Sequence, residues 1–137
     1  MNPLTVVDYS IAYYCHLLKQ DQVPPQRGGK FVLITHQDDA YLVFSPLALS
    51  RQHADIVQRF LSLRQVHVRY DTEDDVSHPS SPEWKVVGGG HWELDETPGT
   101  LRLFGRSQAY GGVDLAALAA RLHDVGGLAG SRSVTVG

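Results

Sequence analysis

The chain of 137 residues has a single cysteine, no long apolar run and no excess of basic residues. One thiol, Cys15, cannot form an internal disulfide, which excludes a small secreted domain held together by disulfides. No apolar stretch approaches the roughly 18 residues that span a membrane. Residues 1–9 also lack the basic and apolar regions of a signal peptide. We therefore expect a cytoplasmic protein with no membrane partner.

The charge balance of the chain is slightly acidic. The 12 Lys and Arg residues and 15 Asp and Glu residues give a formal net charge of −3. General nucleic-acid-binding proteins usually show a clear basic excess, so we expect no nucleic-acid partner. A small local basic site remains compatible with this balance. The hydrophobic share of 42% and the charged share of 20% are typical of one globular domain.

The apolar patterns predict alternating strands and helices along most of the chain. The predicted strands are Lys30–Thr35, Tyr41–Phe44, Val66–Tyr70, Trp84–Val87 continuing over His91–Leu94, Thr100–Phe104 and Ser133–Val136. The predicted helices are Arg51–Arg64, capped by Ser50, and Val113–His123, with a long exposed loop over Asp71–Pro82. This order predicts a single α+β domain: a mixed five- or six-stranded sheet with two main helices packed on it.

The first part of the chain supports two local structures. Residues 1–29 are interpreted as an N-terminal extension, ending in a loop rich in Pro and Gly, before a domain over residues 30–137. Within the extension, Thr5–Val7 favours a strand. A helical stripe of four apolar residues follows, and we predict a short helix around Ser10–Lys19.

His53 is the first of the seven histidines to consider for chemistry. It lies in the first turn of the predicted helix, on the face that carries the apolar residues Ile56, Val57, Phe60 and Leu61. The positive end of the helix dipole disfavours an imidazolium there, so a neutral ring is available as a general base. The alternative is a structural histidine that bonds a loop carbonyl.

The segment Phe104–Gly112 joins a predicted strand to a predicted helix and is rich in small residues. Such a link lets consecutive backbone N–H groups turn towards a bound anion, and Arg106 and Ser107 add a charge and a hydroxyl. The Walker spacing of a P-loop is absent. Gly105-x-Ser107-x-Ala109 also resembles a degenerate nucleophile elbow, so a serine hydrolase with His123 as its base is an alternative. The predicted helix begins too late for that elbow.

Two further patterns concern glycine and histidine. Gly88-Gly89-Gly90 marks a bulge, a kink or a close approach of backbone to another group. The histidines have neither the HExxH spacing nor a cysteine pair, so we expect no metal and no cofactor. His91-x-Glu93 resembles the start of a zinc deaminase signature, but the Pro-Cys-x-x-Cys that should follow is missing.

Taken together and in this order, four stretches resemble the protein histidine phosphatase family, also called Janus/Ocnus. They are Lys30–Ile34, His53–Ile56, Gly88–Gly90 and Gly105–Gly111. The resemblance extends from Lys30 to His123. It implies an α+β fold with a mixed sheet flanked by two helices. It also implies metal-independent removal of phosphate from phosphohistidine, in a protein or in a small phosphoramidate.

The resemblance also implies roles for particular residues. His53 would be the catalytic residue, as a general base or as a transient acceptor of the phosphoryl group. Lys30 would contribute to substrate binding. Ser107, Gln108 and Ala109 would bind the phosphate, largely through backbone N–H groups.

The chain departs from the family pattern beside these residues. The family commonly has arginine directly after the three glycines, where this chain has His91, and often an aromatic residue where it has Gln52. Arg106 and Arg51 are the candidates to replace the lost positive charge. The change at His91 motivates the alternative of a non-catalytic module that recognises phosphate or a phosphoprotein with the same fold.

Overall fold

The structure is a computed structural model that describes residues 4–72, 76–122 and 132–137. The strands in this part of the chain are β1 (Leu4–Asp8), β2 (Gln26–His36), β3 (Asp39–Pro46), β4 (Val68–Asp71), β5 (Val76–Pro79), β6 (Trp84–Asp95), β7 (Thr100–Phe104) and β8 (Ser133–Val136). The helices are α1 (His53–Leu63) and α2 (Leu115–Leu122), with a short π-helical segment over Ala12–Leu17.

Six strands form one mixed sheet in the order β1-β3-β2-β6-β7-β8. The inner pairs are antiparallel, while β1 pairs parallel with β3 and β8 pairs parallel with β7. Strands β4 and β5 form a separate antiparallel hairpin. The predicted α+β class, with a six-stranded mixed sheet and two main helices in a single domain, is confirmed.

The two helices cover opposite faces of the sheet. Successive residues of a strand point to opposite faces, so the central strands contribute alternately to two cores. On β2, Phe31 belongs to the core on the α2 side and Val32 to the core on the α1 side. Leu42 and Val43 divide in the same way on β3. The indole N–H of Trp92 donates to the carbonyl oxygens of Lys30, at 3.1 Å, and Ser45, at 3.2 Å.

The structure of the N-terminus agrees with the first local pattern and shortens the second. The Thr5–Val7 pattern, which favours a strand, forms β1, and the helix predicted around Ser10–Lys19 is present as the π-helical segment Ala12–Leu17. Since β1 is hydrogen-bonded to β3 and β2 begins at Gln26, the division of the chain at residue 29 does not coincide with a structural boundary. The local pattern indicates the strand but not its parallel pairing with β3, which lies more than thirty residues further along the chain.

The predicted loop Asp71–Pro82 was wrong over part of its length, since it contains the end of β4 and all of β5. Val76 and Ser77 are buried there, although the local sequence is polar and rich in proline. Tyr110 explains part of this, because its hydroxyl bonds the backbone of Ser77. Residues 73–75 of this predicted loop lie outside the described residues.

The predicted cap of α1 was also wrong. The Ser45 hydroxyl donates to the buried Ser50 hydroxyl at 2.8 Å, so Ser50 ties β3 to the loop before the helix. Gln52 is the N-cap residue instead, and its backbone N–H donates to the Asp55 carboxylate at 3.2 Å. The helix therefore begins at His53, two residues later than the predicted start at Arg51.

The second helix begins close to its predicted position. Asp114 accepts a hydrogen bond from the backbone N–H of Ala117 at 3.1 Å, as a capping side chain does. The predicted last residue of this helix, His123, lies outside the described residues. Across residues 4–72, 76–122 and 132–137, neither helix is long and apolar enough to cross a membrane.

Candidate functional site

A cleft of about 490 Å³ opens where β2, the start of α1, β6 and the turn after β7 come together. We call it the histidine cleft. Its lining consists of Lys30, Gln52, His53, Ala54, His91, Arg106, Gln108 and Ala109. Six of the seven residues predicted from the sequence therefore line one cleft, and Ser107 is the exception.

His53 is the first residue of α1, and only 6% of it is exposed. Its Nε2 atom lies 2.8 Å from the carbonyl oxygen of Gly90, which can only accept, so Nε2 carries the proton and donates. The neutral ring then has its lone pair on Nδ1, and no described residue bonds that atom. Burial, together with the nearby charge of Lys30, lowers the pKa of His53 to about 4. The ring is therefore neutral at physiological pH and holds a free basic nitrogen.

The three glycines of β6 make this position of His53 sterically possible. A Cβ on Gly89 would lie 2.4 Å from the Phe31 carbonyl oxygen and 2.8 Å from Cδ2 of His53. Either distance is shorter than real Cβ contacts. The register of β6 also shifts beside the glycines, where Leu33 pairs with Gly88 and Ile34 with Val86. The predicted bulge and the predicted close approach are both present.

Lys30 and His91 face each other across β2 and β6, as paired residues of the sheet. The Lys30 ammonium donates to the carbonyl oxygen of Arg51 at 2.5 Å, which holds the charge at the mouth of the histidine cleft. The His91 ring stacks on Phe104 at 5.5 Å and meets the His53 ring edge-on at 5.6 Å. Burial and the charge of Lys30 lower the pKa of His91. The residue after the glycines is therefore an uncharged side chain near neutral pH.

The turn after β7 is closed by hydrogen bonds of Ser107. Its backbone N–H is shared between the carbonyl oxygens of Gly89, at 3.1 Å, and Gly111, at 3.3 Å. Its hydroxyl accepts the N–H of Tyr110 at 3.1 Å. The expectation that Ser107 offers its own N–H to a phosphate is therefore wrong, because that group is already bonded. Ser107 shapes the turn instead.

The backbone N–H groups of Gln108 and Ala109 are in a different position. Both residues are exposed at the tip of the turn and line the histidine cleft. No described residue accepts a hydrogen bond from either N–H. Two consecutive unbonded N–H donors of this kind can bind an anion.

The serine hydrolase alternative does not fit this turn. Ser107 is completely buried and does not line the histidine cleft, so its hydroxyl cannot reach a substrate there. Its proposed base, His123, lies outside the described residues. A nucleophile elbow would present the serine at the tip of the turn, where Gln108 and Ala109 lie.

The two arginine candidates are separated by the structure. Arg106 is exposed and lines the histidine cleft, whereas the side chain of Arg51 is not part of the lining. Arg51 contributes its carbonyl oxygen to Lys30 instead. Among the described residues, no group of three or more His, Cys, Asp or Glu side chains is arranged to hold a metal ion.

Sequence reasoning missed the partners that hold this site in place. The Gly90 carbonyl is the acceptor for His53, and 37 residues separate the two along the chain. The Tyr110 hydroxyl accepts the N–H of Ser77 and donates to its carbonyl oxygen, both at 2.8 Å. The three glycines were the only sequence signal for the first contact. Nothing local indicated the second.

Comparison with known proteins adds no assignment to this geometry. Neither a scan against protein-family models nor a search of curated proteins found a match to the chain.

Proposed function

We propose that the protein is a metal-independent phosphatase that hydrolyses phosphohistidine or a related phosphoramidate, with His53 as the general base. The observation that carries the proposal is the state of His53. Its Nε2 donates to the Gly90 carbonyl oxygen, and its free Nδ1 belongs to a ring that lines the histidine cleft. A fixed tautomer with one unbonded basic nitrogen is what a general base requires.

The surroundings of His53 are suited to a phosphoryl group. Lys30 and Arg106 supply two positive charges to the cleft lining, and no Asp or Glu is among the described lining residues. The N–H groups of Gln108 and Ala109 add two neutral donors. Together these groups would bind the three phosphoryl oxygens and stabilise the charge that develops on them during transfer.

The reaction then needs only a small number of steps. A water oxygen attacks phosphorus while Nδ1 of His53 takes a proton from that water. The P–N bond breaks, and its electron pair remains on the leaving nitrogen, which takes up a proton. The products are inorganic phosphate and the free imidazole or amine. In the alternative route, Nδ1 attacks phosphorus itself and water later releases the phosphate.

The low pKa of His53 is compatible with this role. A pKa of about 4 keeps the ring neutral in the free protein. The oxyanions of a bound phosphoryl group would favour the imidazolium and raise this pKa during the reaction. The basicity of Nδ1 would therefore increase when substrate is bound, which is when a proton has to be accepted.

A second candidate function is recognition of phosphate without turnover. It is favoured by His91, whose lowered pKa leaves the cleft with no permanent charge at that position. A protein of this kind would bind a phosphorylated partner through Lys30, Arg106 and the turn. It would not depend on Nδ1 of His53.

The experiment that separates these functions is phosphate release from free phosphohistidine, with phosphoserine and p-nitrophenyl phosphate as comparison substrates. We expect release from phosphohistidine that His53→Ala abolishes. The matched control is His16→Ala, because His16 is exposed and does not line the histidine cleft. If phosphate analogues bind but no substrate is turned over, recognition is the better account. Activity that survives His53→Ala within a few-fold would overturn the mechanism.

A further inference from the structure

A second cleft of about 680 Å³ lies beside the histidine cleft and shares part of its wall. The shared residues are Gln108 and Ala109, which line both clefts. Tyr110 of the same turn also lines it, and the remaining residues come from the hairpin β4–β5, from the start of β6 and from the segment that joins them. We call this the hairpin cleft. If the phosphoryl group of a substrate binds to the turn from the histidine cleft, the rest of that substrate would extend over the turn into the hairpin cleft.

The hairpin cleft carries positive charge. Arg69 on β4 and Lys85 on β6 both line it, and His78 on β5 adds an imidazole. No Asp or Glu is among its described lining residues. Neither Arg69 nor Lys85 forms an ion pair with a described residue. In a protein with net charge −3, two adjacent clefts lined by four Lys and Arg side chains form a local basic surface.

The hairpin cleft also has an apolar part. Trp84, Val86, Pro79 and Pro82 line it together with the cations. Aromatic and proline surfaces of this kind pack against the backbone and the carbon atoms of an extended peptide. A lining that combines them with unpaired cations is therefore complementary to a polypeptide that carries carboxylates.

Tyr110 fixes the hairpin cleft relative to the histidine cleft. Its hydroxyl bonds both backbone groups of Ser77 on β5, while its own N–H donates to the Ser107 hydroxyl. The hairpin is thereby attached to the turn that offers the two free N–H groups. Because the two clefts are held at a constant separation, one bound segment can use both at once.

We propose that the hairpin cleft binds the polypeptide segment next to the phosphohistidine and prefers acidic side chains in that segment. This rests on the proposed function, and it identifies the substrate as a phosphohistidine protein with neighbouring carboxylates rather than a free phosphoramidate. Each exposed ion pair, with Arg69 or Lys85, contributes up to about fivefold in binding. We expect a combined preference of about tenfold, which decreases as salt is added.

The test uses nine-residue peptides with a central phosphohistidine flanked by glutamates or by lysines, and free phosphohistidine as the small substrate. The variant is Arg69→Ala with Lys85→Ala. A matched control, Lys19→Ala with Arg59→Ala, removes the same charge from exposed positions that line neither cleft. The conservative exchange Arg69→Lys with Lys85→Arg retains both charges. The value of kcat/KM is measured for each substrate.

We expect the unmodified protein to favour the glutamate peptide about tenfold over the lysine peptide. The double alanine variant should bring this ratio to within about twofold of unity, while hydrolysis of free phosphohistidine is unchanged. The control and the conservative exchange should keep the preference. Two results would contradict the proposed role of the hairpin cleft: a ratio near unity in the unmodified protein, or a preference that the double alanine variant retains. Neither result would contradict the proposed phosphatase activity.

If neither free phosphohistidine nor either phosphohistidine peptide is hydrolysed, the proposed function fails, and peptide binding then tests the hairpin cleft separately. Unphosphorylated, fluorescently labelled versions of the two peptides are then titrated and followed by anisotropy. Tighter binding of the glutamate peptide that is lost in the double alanine variant supports the cleft as an acidic-peptide site. Equal binding of both peptides rejects it.

Discussion

The imidazole of His53 donates from Nε2 to the carbonyl oxygen of Gly90 across a distance of 2.8 Å. This bond joins the first residue of α1 to the centre of β6, and it assigns the proton of the neutral ring to the nitrogen that faces the sheet. The other nitrogen, Nδ1, has no hydrogen-bond partner among the described residues. A backbone carbonyl thus determines which nitrogen of the neutral ring keeps its lone pair.

The first prediction concerns the pH dependence of activity. Because burial lowers the pKa of His53 to about 4, its neutral form is present at all pH values well above 4. The kcat/KM for phosphohistidine, corrected for spontaneous hydrolysis, should show no loss from His53 protonation between pH 7 and pH 5. The ring resonances of His53, followed by NMR, should titrate near pH 4. A midpoint near the ordinary value of 6.5 would contradict this assignment.

The same pKa affects stability, with a definite sign. Between about pH 4 and 6.5 the unfolded chain binds a proton at His53 that the folded chain does not, so the free energy of unfolding should rise with pH across this window. Urea unfolding at pH 4.5 and pH 7 measures it. His53→Ala should reduce the pH dependence. His91→Gln is the comparison variant. The pKa of His91 is also lowered, so this residue too makes the free energy of unfolding rise with pH.

Gly89→Ala should displace the imidazole ring of His53 and thereby lower the proposed activity. The added Cβ would fall within 2.8 Å of the His53 ring and 2.4 Å of the Phe31 carbonyl oxygen. Displacement of a general base by about 1 Å can lower the reaction rate about 100-fold, and we expect kcat to fall by a factor of that order. Gly112→Ala is the control, because its Cβ would meet its nearest atom at 3.4 Å. Circular dichroism and thermal unfolding show whether the fold is retained. A fully active Gly89→Ala protein would argue against the fixed ring.

Lys30→Ala should mainly weaken substrate binding. The ammonium is held by the Arg51 carbonyl at the cleft, where it attracts the phosphoryl oxygens but does not move a proton. We expect KM to rise about tenfold, with a smaller change in kcat. Lys30→Arg, which retains the charge, should recover part of the affinity. A fall in kcat with KM unchanged would assign Lys30 to the transition state instead.

His91→Arg should strengthen phosphate binding. The pKa of His91 is lowered, so the present side chain is uncharged near neutral pH, and arginine would add a permanent charge beside Lys30. We expect KM for phosphohistidine to fall by several-fold, as charge-assisted hydrogen bonds do. His91→Gln is the neutral comparison. Should His91→Arg and His91→Gln give the same KM, position 91 does not contact the phosphoryl group.

Ser107→Ala should cost less activity than His53→Ala. Its hydroxyl accepts the Tyr110 N–H within the turn and is buried away from the cleft. We expect a modest loss of thermal stability, from one unsatisfied N–H, and a loss of kcat/KM of about tenfold or less. A Ser107→Ala protein as inactive as His53→Ala would restore the serine hydrolase alternative.

Most of the helices and strands could be predicted from short-range patterns in the sequence. The runs that became β2, β3, β6 and β7 could be predicted, because apolar alternation is imposed by the two covered faces of the sheet. The helix that carries His53 could also be predicted from its apolar face. Six of the seven candidate residues line one cleft: His53 begins α1, Lys30 and His91 are paired on β2 and β6, and the other three lie in the turn after β7.

Features that depend on contacts between distant residues could not be predicted and became visible only in the folded protein. The local pattern favoured a strand at β1 but could not show that it joins the sheet beside β3, and it did not indicate β5, where Ser77 is bonded by the distant Tyr110 hydroxyl. It also could not show that the Ser107 N–H is bonded to Gly89 and Gly111, whereas the N–H groups of Gln108 and Ala109 have no acceptor among the described residues.

His53 illustrates, at a single residue, the difference between what local sequence indicates and what packing determines. The sequence indicates a histidine at the start of an amphipathic helix, which is a local property. Its tautomer, its burial and its lowered pKa come from β6, whose Gly89 and Gly90 are more than thirty residues away. Local periodicity indicates which helix or strand carries a side chain. Only packing between elements selects the hydrogen-bond partner and the solvent exposure that determine its chemistry.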